Sequence, residues 1–127
     1  MEPKDVINSV YDAFVKGDIP FILSQVAPGA VWKQSPNLPW GGEYSGPEGA
    51  GEFFTRLNDA YETTSFVVDE SVQAGDQVFS VGSYAGKARA TGKPGATPFA
   101  FRWRVNDSKI TFYEAYMDTV ALTAPLS

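Results

Sequence analysis

The sequence predicts an α+β domain in which a curved antiparallel sheet wraps as a cone around three helices from the N-terminal half and encloses a pocket. Three observations carry that expectation. Apolar residues recur at helical spacing through the first half of the chain. From Thr63 onward they alternate at period two between short turn signals. The alternating stretches also place many aromatic side chains on one face, more than a sheet turned wholly to water needs.

The first helix runs from Asp5 to Lys16, where Val6, Val10, Ala13 and Phe14 fall at i, i+4, i+7 and i+8. Gly17 stops it, and Asp18 caps a second helix over Ile19 to Val26 with Pro20 in its first turn. Ala27-Pro28-Gly29 ends that element, and Ala30 to Gln34 reads as a short strand with Val31 and Trp32. The segment SPNLPWGGEYSGPEG follows, with three prolines and four glycines beside Leu38, Trp40 and Tyr44. Its end is a helix start: Pro47 sits near N1 and Glu48 in the first turn. That helix continues to about Tyr61 and buries Ala50, Phe53, Phe54, Leu57 and Tyr61.

Four antiparallel strands fill the second half. Turns are expected at 74–77 and at Asn106-Asp107-Ser108, with GKPGAT at 92–97 as a long hairpin connection.

Composition narrows the function. A chain of 127 residues is one domain's length, and 43% apolar with 14% aromatic residues suffices for a core. No 18-residue apolar run suggests a membrane span, and the start MEPKDV lacks an apolar signal region, so a cytoplasmic location is the expectation. The net charge is −5 with no Lys/Arg cluster, which argues against nucleic acid as a partner. With no cysteine and no histidine, thiolate nucleophiles, Ser-His-Asp triads and the common zinc ligands are excluded. Acid–base chemistry is left to carboxylates, tyrosine, lysine or water, with no metal and no cofactor implied.

Regular pairing of the last hairpin, with Val105 opposite Ile110, sets Trp103 against Phe112, Phe101 against Glu114, Phe99 against Tyr116 and Thr97 against Asp118. On that register Glu114, Tyr116 and Asp118 point inward with the aromatic residues. Arg102, Arg104, Tyr113 and Met117 then face outward. Inward carboxylates need a partner, a raised pKa or a solvated cavity. Lys33 and Arg56 are candidate partners, and a solvated position at the cone rim is the alternative. The preceding hairpin, hinged at Gly75-Asp76, sets Phe66, Val68, Val72, Phe79 and Val81 inward, with Glu70 and Ser83 on the same face. A cone so lined holds a small apolar molecule. Its expected walls are Trp32, Phe54, Phe66, Phe99, Phe101 and Trp103, with Trp40 at the entrance and Tyr44 packed on the following helix start.

The chain resembles the SnoaL-like branch of the nuclear-transport-factor-2-like superfamily, which includes ketosteroid isomerases and polyketide cyclases. The resemblance rests on VYDAFVKGDIPFILSQVAPGAVW at 10–32, LPWGGEYSGPEGAGEFFTRL at 38–57, AGDQVFSVGSYAGKARATG at 74–92 and FAFRWRVNDSKITFYEAYMDTVAL at 99–122. It covers nearly the whole length and implies a single domain over 1–127. By resemblance, Asp118 is the pocket acid/base, with Tyr116 and Trp32 as orienting groups; Glu114, inward on the same register, is a second candidate carboxylate. It also implies a homodimer through the outer sheet face at Arg102, Arg104, Tyr113 and Met117. Three readings stay open: a cofactor-free isomerase, cyclase or hydrolase on a small apolar substrate; a binding module without chemistry; and an assembly domain.

Overall fold

A computed structural model describes residues 2–127. The chain orders as α1 (Pro3–Lys16), α2 (Ile19–Ser24), β1 (Val26–Gln34), β2 (Gly42–Ser45), α3 (Gly46–Ala60), β3 (Tyr61–Ala74), β4 (Gln77–Ala88), β5 (Pro94–Asn106), β6 (Lys109–Met117) and α4 (Thr119–Thr123). A short 3₁₀ turn at Ala124–Leu126 completes it. The six strands form one sheet in the order β2-β1-β6-β5-β4-β3, antiparallel throughout except for the β1–β6 pair.

Local chemistry accounts for the helix ends. Gly17 takes φ of 74° and its N–H returns to the Phe14 carbonyl, which ends α1. The Asp18 carboxylate accepts from the Phe21 N–H at 3.2 Å and starts α2. Val6, Ile7 and Val10 of α1 and Ile22 of α2 are buried against the concave face of the sheet, as are Ala50 and Phe53 of α3. Among the described residues, no helix is long and apolar enough to cross a membrane.

Three boundaries differ from expectation, and two elements are added. Helix α2 stops at Ser24, and Ala27-Pro28-Gly29 lies inside β1, in the stretch where its register against β6 shifts between Val26 and Val31. Proline has no N–H to donate to a ladder, so this stretch is irregular rather than absent. The loop after β1 contributes its own strand, β2, and β5 begins at Pro94, which shortens the preceding hairpin connection to 89–93. Helix α4 was not anticipated, since five residues are too few to show a period.

The larger corrections concern which way side chains point. Between Ile110 and Phe112 strand β6 carries one extra residue, Thr111, because Arg104 pairs with Phe112 while Val105 pairs with Ile110. The Thr111 hydroxyl donates to Asn106 Oδ1 at 2.7 Å, which holds the bulge. Everything after it is shifted by one: Tyr113, Ala115 and Met117 turn inward, and Phe112, Glu114 and Tyr116 turn outward. Strand β3 has the same device at Asp69, since Val68 pairs with Gly82 and Glu70 with Val81. Phe66 and Val68 therefore face inward as expected, whereas Glu70, Val72, Phe79 and Val81 face outward.

Candidate functional site

A row of paired aromatic residues crosses the concave face. Trp32 of β1 is the cross-strand partner of Tyr113 of β6, and Tyr113 is the partner of Trp103 of β5. The Tyr113 ring lies 4.4 Å from each indole. Phe53 of α3 closes over the row, 5.7 Å from Trp32 and 6.2 Å from Tyr113. Such contacts add roughly 1 kcal/mol per pair beyond burial and hold the rings in place.

Beside this row is a cavity of about 70 Å³. At roughly 10–15 Å³ per water on the same measure it has room for about five, the bulk of a one- or two-ring molecule. Six of the seven side chains expected to line it do so: Trp32, Trp40, Phe54, Phe66, Phe101 and Trp103. Phe99 does not; its ring stacks on Phe101 at 4.0 Å and backs the wall. Gln34, Tyr113, Met117 and Leu122 line the cavity without having been anticipated. Gln34 was legible as a position, since it alternates with Trp32 along one strand; the other three depend on the β6 bulge and on α4.

Very little of the lining is polar, and two polar atoms of the lining residues lack partners. Trp32 Nε1 and Gln34 Oε1 are buried with no hydrogen bond among the described residues. The Gln34 amide nitrogen reaches only the Met117 sulfur, at 3.4 Å. Tyr113 is 5% exposed, and burial followed by the neighbouring Tyr11 holds its pKa well above the usual phenol range. It is a neutral donor at any physiological pH. Behind Trp103 lies a separate, satisfied chain: Trp103 Nε1 donates to the Tyr11 hydroxyl at 2.8 Å, and that hydroxyl donates to Ser80 Oγ at 2.7 Å. Burial pushes the Tyr11 pKa up to about 12, against the lowering effect of those two bonds.

The predicted catalytic groups are elsewhere. Glu114 and Tyr116 lie on the convex face, where the Tyr116 hydroxyl donates to Glu114 Oε1 at 2.7 Å. That bond is also the main cause of the raised Tyr116 pKa. Asp118 is exposed beyond the end of β6, and its carboxylate caps α4 by accepting from the Ala121 N–H at 3.2 Å. No carboxylate lines the cavity, and the structure brings none of these three residues to Trp32. Of the expected ion-pair partners, Arg56 pairs with Glu52, and Lys33 lies over the Phe112 ring. Among the described residues no group of three or more acidic side chains is placed to hold a metal ion.

Trp40 is 1% exposed and packs edge-on against Tyr61 at 5.6 Å, so it forms the cavity floor rather than its entrance. Tyr44 is buried as expected, packs on Phe53 of α3, and donates to the Trp40 carbonyl at 3.0 Å.

The SnoaL-like domain family matches residues 7–113. Patulin synthesis protein F of Aspergillus clavatus is 32% identical over 89 residues, which are 68% of this chain and 45% of that protein. The chain therefore spans about half the length of the curated relatives it matches. A nuclear-transport-factor-2-like protein of Burkholderia thailandensis superposes with a TM-score of 0.93 at 28% identity, covering 100% of this chain and 98% of that one. TerC, crystallised with polyporic acid, superposes with a TM-score of 0.85 at 25% identity, covering 98% of this chain and 97% of its own. A curved sheet closed over three helices, with the match running through all of them, makes the chain a member of the SnoaL-like domain family.

Proposed function

We propose that the cone binds a small, mainly apolar ring compound whose buried part is uncharged and bears a carbonyl, and that neutral hydrogen-bonding groups rather than carboxylates orient it. One observation carries this reading: Trp32 and Gln34 line an otherwise apolar cavity, and Trp32 Nε1 and Gln34 Oε1 are buried without partners. An unmade buried hydrogen bond costs about 1–3 kcal/mol, a cost that a bound ligand offering acceptor and donor would offset. The donors suited to a carbonyl are the Trp32 N–H and the protonated Tyr113 hydroxyl; the acceptor suited to a ligand hydroxyl is Gln34 Oε1. The similarity to a patulin synthesis protein and to TerC with its polyporic acid supports an oxygenated ring compound. Any isomerase, cyclase or hydrolase chemistry here would run by polarising that carbonyl from Tyr113 and Trp32, with Asp118 and Glu114 outside the reacting volume.

The test compares 1-tetralone with tetralin, the same two rings without the carbonyl, by calorimetry or tryptophan fluorescence. Tetralone is expected to bind roughly three to ten times more tightly, the worth of one hydrogen bond. Tyr113→Phe with Trp32→Phe should erase the preference, and Asp118→Asn should leave it intact. Equal binding of the two compounds sinks the reading.

We also infer that two copies associate through the convex face, because that face carries an exposed apolar strip. Val72, Phe79, Val81 and Tyr116 are 54%, 42%, 47% and 50% exposed, and Arg102 lies opposite Glu114 beside them. Tyr113 and Met117, once assigned to this contact, face inward and take no part in it.

A further inference from the structure

The cavity shares part of its lining with a second, larger concavity on the surface. A groove of about 590 Å³ runs between the end of α1, the start of α2, the second half of α3 and the first residues of β3. Four side chains line both spaces: Phe14, Phe54, Leu57 and Phe66. They form a neck, with the apolar chamber on one side and open water on the other. Trp40 closes its own side of the chamber at 1% exposure, and the shared lining points to this neck as a route between chamber and solvent.

The groove differs from the chamber in charge. Its rim holds Lys16 and Arg89 against one carboxylate, Glu62. In a chain of net charge −5 this is a local reversal. The ion pairs among the described residues are Glu52–Arg56 and Asp76–Arg104, so neither rim cation is neutralised by one. Arg89 is held in position, since its Nε donates to the Asn58 carbonyl and its Nη2 to Asn58 Oδ1 at 3.0 Å. A guanidinium fixed by the protein on two nitrogens and free at the third suits an anionic oxygen.

We propose that this groove is the outer half of the ligand site and that it selects elongated molecules whose rings end in an anionic group, a carboxylate, sulfonate or phenolate. The idea rests on the chamber reading above and adds an order to the ligand. Rings pass the neck into the chamber, which has no charged lining, and the anion stays between Lys16 and Arg89. Burying that charge among Phe53, Trp103 and Tyr113 would cost several kcal/mol, so the reverse orientation is disfavoured.

Two dyes of the same ring skeleton test it: N-phenyl-2-naphthylamine, which is neutral, and 6-anilinonaphthalene-2-sulfonate, which adds the anion at the far end. The sulfonate is expected to bind at least about threefold more tightly to the wild-type chain, within the range for one exposed ion pair. Lys16→Gln and Arg89→Gln should each remove about that factor for the sulfonate and leave the neutral dye unchanged. Leu57→Trp, which fills the neck, should weaken both. Equal affinities for the two dyes, or rim variants that bind the sulfonate as wild type does, overturn the proposal while leaving the chamber reading standing. So does a Leu57→Trp variant that binds both dyes normally, because they would then sit elsewhere, such as on the convex face. If neither the dyes nor tetralone bind, the chamber reading falls as well.

Discussion

Thr111 changes the meaning of every residue after it. A strand with one residue fewer would send Glu114 and Tyr116 to the cavity and Tyr113 to solvent; with the bulge, Tyr113 stands opposite Trp103 where Phe112 was expected, and Ala115 stands opposite Phe101 where Glu114 was expected. Nothing in Val-Asn-Asp-Ser-Lys-Ile-Thr announces that extra residue, because the hairpin turn fits either pairing. The turn itself was legible, with Asp107 and Ser108 at φ of 51° and 62°. The aromatic wall was legible too, since Trp32, Phe101 and Trp103 sit on strands upstream of the bulge. Tyr11 offers a test at this scale. Its pKa is about 12 in the fold against 10.0 for a free phenol, because burial disfavours the phenolate. A raised pKa means that the unfolded chain releases the proton first. The associated stability is complete below pH 10 and is lost as pH rises from 10 toward 12. Urea midpoints should therefore fall across that window, and Tyr11→Phe should show a shallower fall from a lower starting stability. Equal slopes for the two proteins would remove Tyr11 from the account. Asp118→Ala should cost about 0.5–2 kcal/mol as a lost helix cap, read from urea unfolding, and leave tetralone affinity as it was.

At the scale of the element, the loop from Ser35 to β2 is the clearest case of sequence composition with a structural purpose. It folds back on itself through Leu38 N–H to the Ser35 carbonyl at 3.2 Å and Gly41 N–H to the Leu38 carbonyl at 2.8 Å. Leu38 and Trp40 are thereby tucked under the sheet at 4% and 1% exposure. Gly41 is required by space: a Cβ there would lie 1.8 Å from the Ser35 carbonyl oxygen. Gly41→Ala should destabilise the fold by about 1–3 kcal/mol, the usual range for overpacking. Tetralone affinity should fall with it, because the loop carries the chamber floor; an unchanged melting temperature would contradict this. Helix α3 and the α1–α2 corner were readable from periodicity and capping chemistry. That Phe14 and Phe54 meet at 6.1 Å to make a neck was not, since they come from helices far apart in the chain.

For the whole molecule, the two faces of one sheet divide the work, the concave face for a ligand and the convex face for the proposed second copy. Val81→Lys places a charge at the centre of the exposed strip without touching the core, so the variant should sediment as a single chain where the wild type sediments as two. A wild-type mass of one chain at micromolar concentration removes the proposal. The sequence by itself determined the α+β class, the helix stops at Gly17 and near Tyr61, the positions of both short hairpin turns, and an aromatic interior without histidine or cysteine. Those properties are local: they follow from period, capping and turn chemistry within a dozen residues. The tertiary structure decided which face of β3 and β6 looks inward, that Asp118 caps a helix, and that chamber and groove share four lining side chains. Each of these depends on pairing between distant segments, where a single unpaired residue reverses the alternation and no local preference records it.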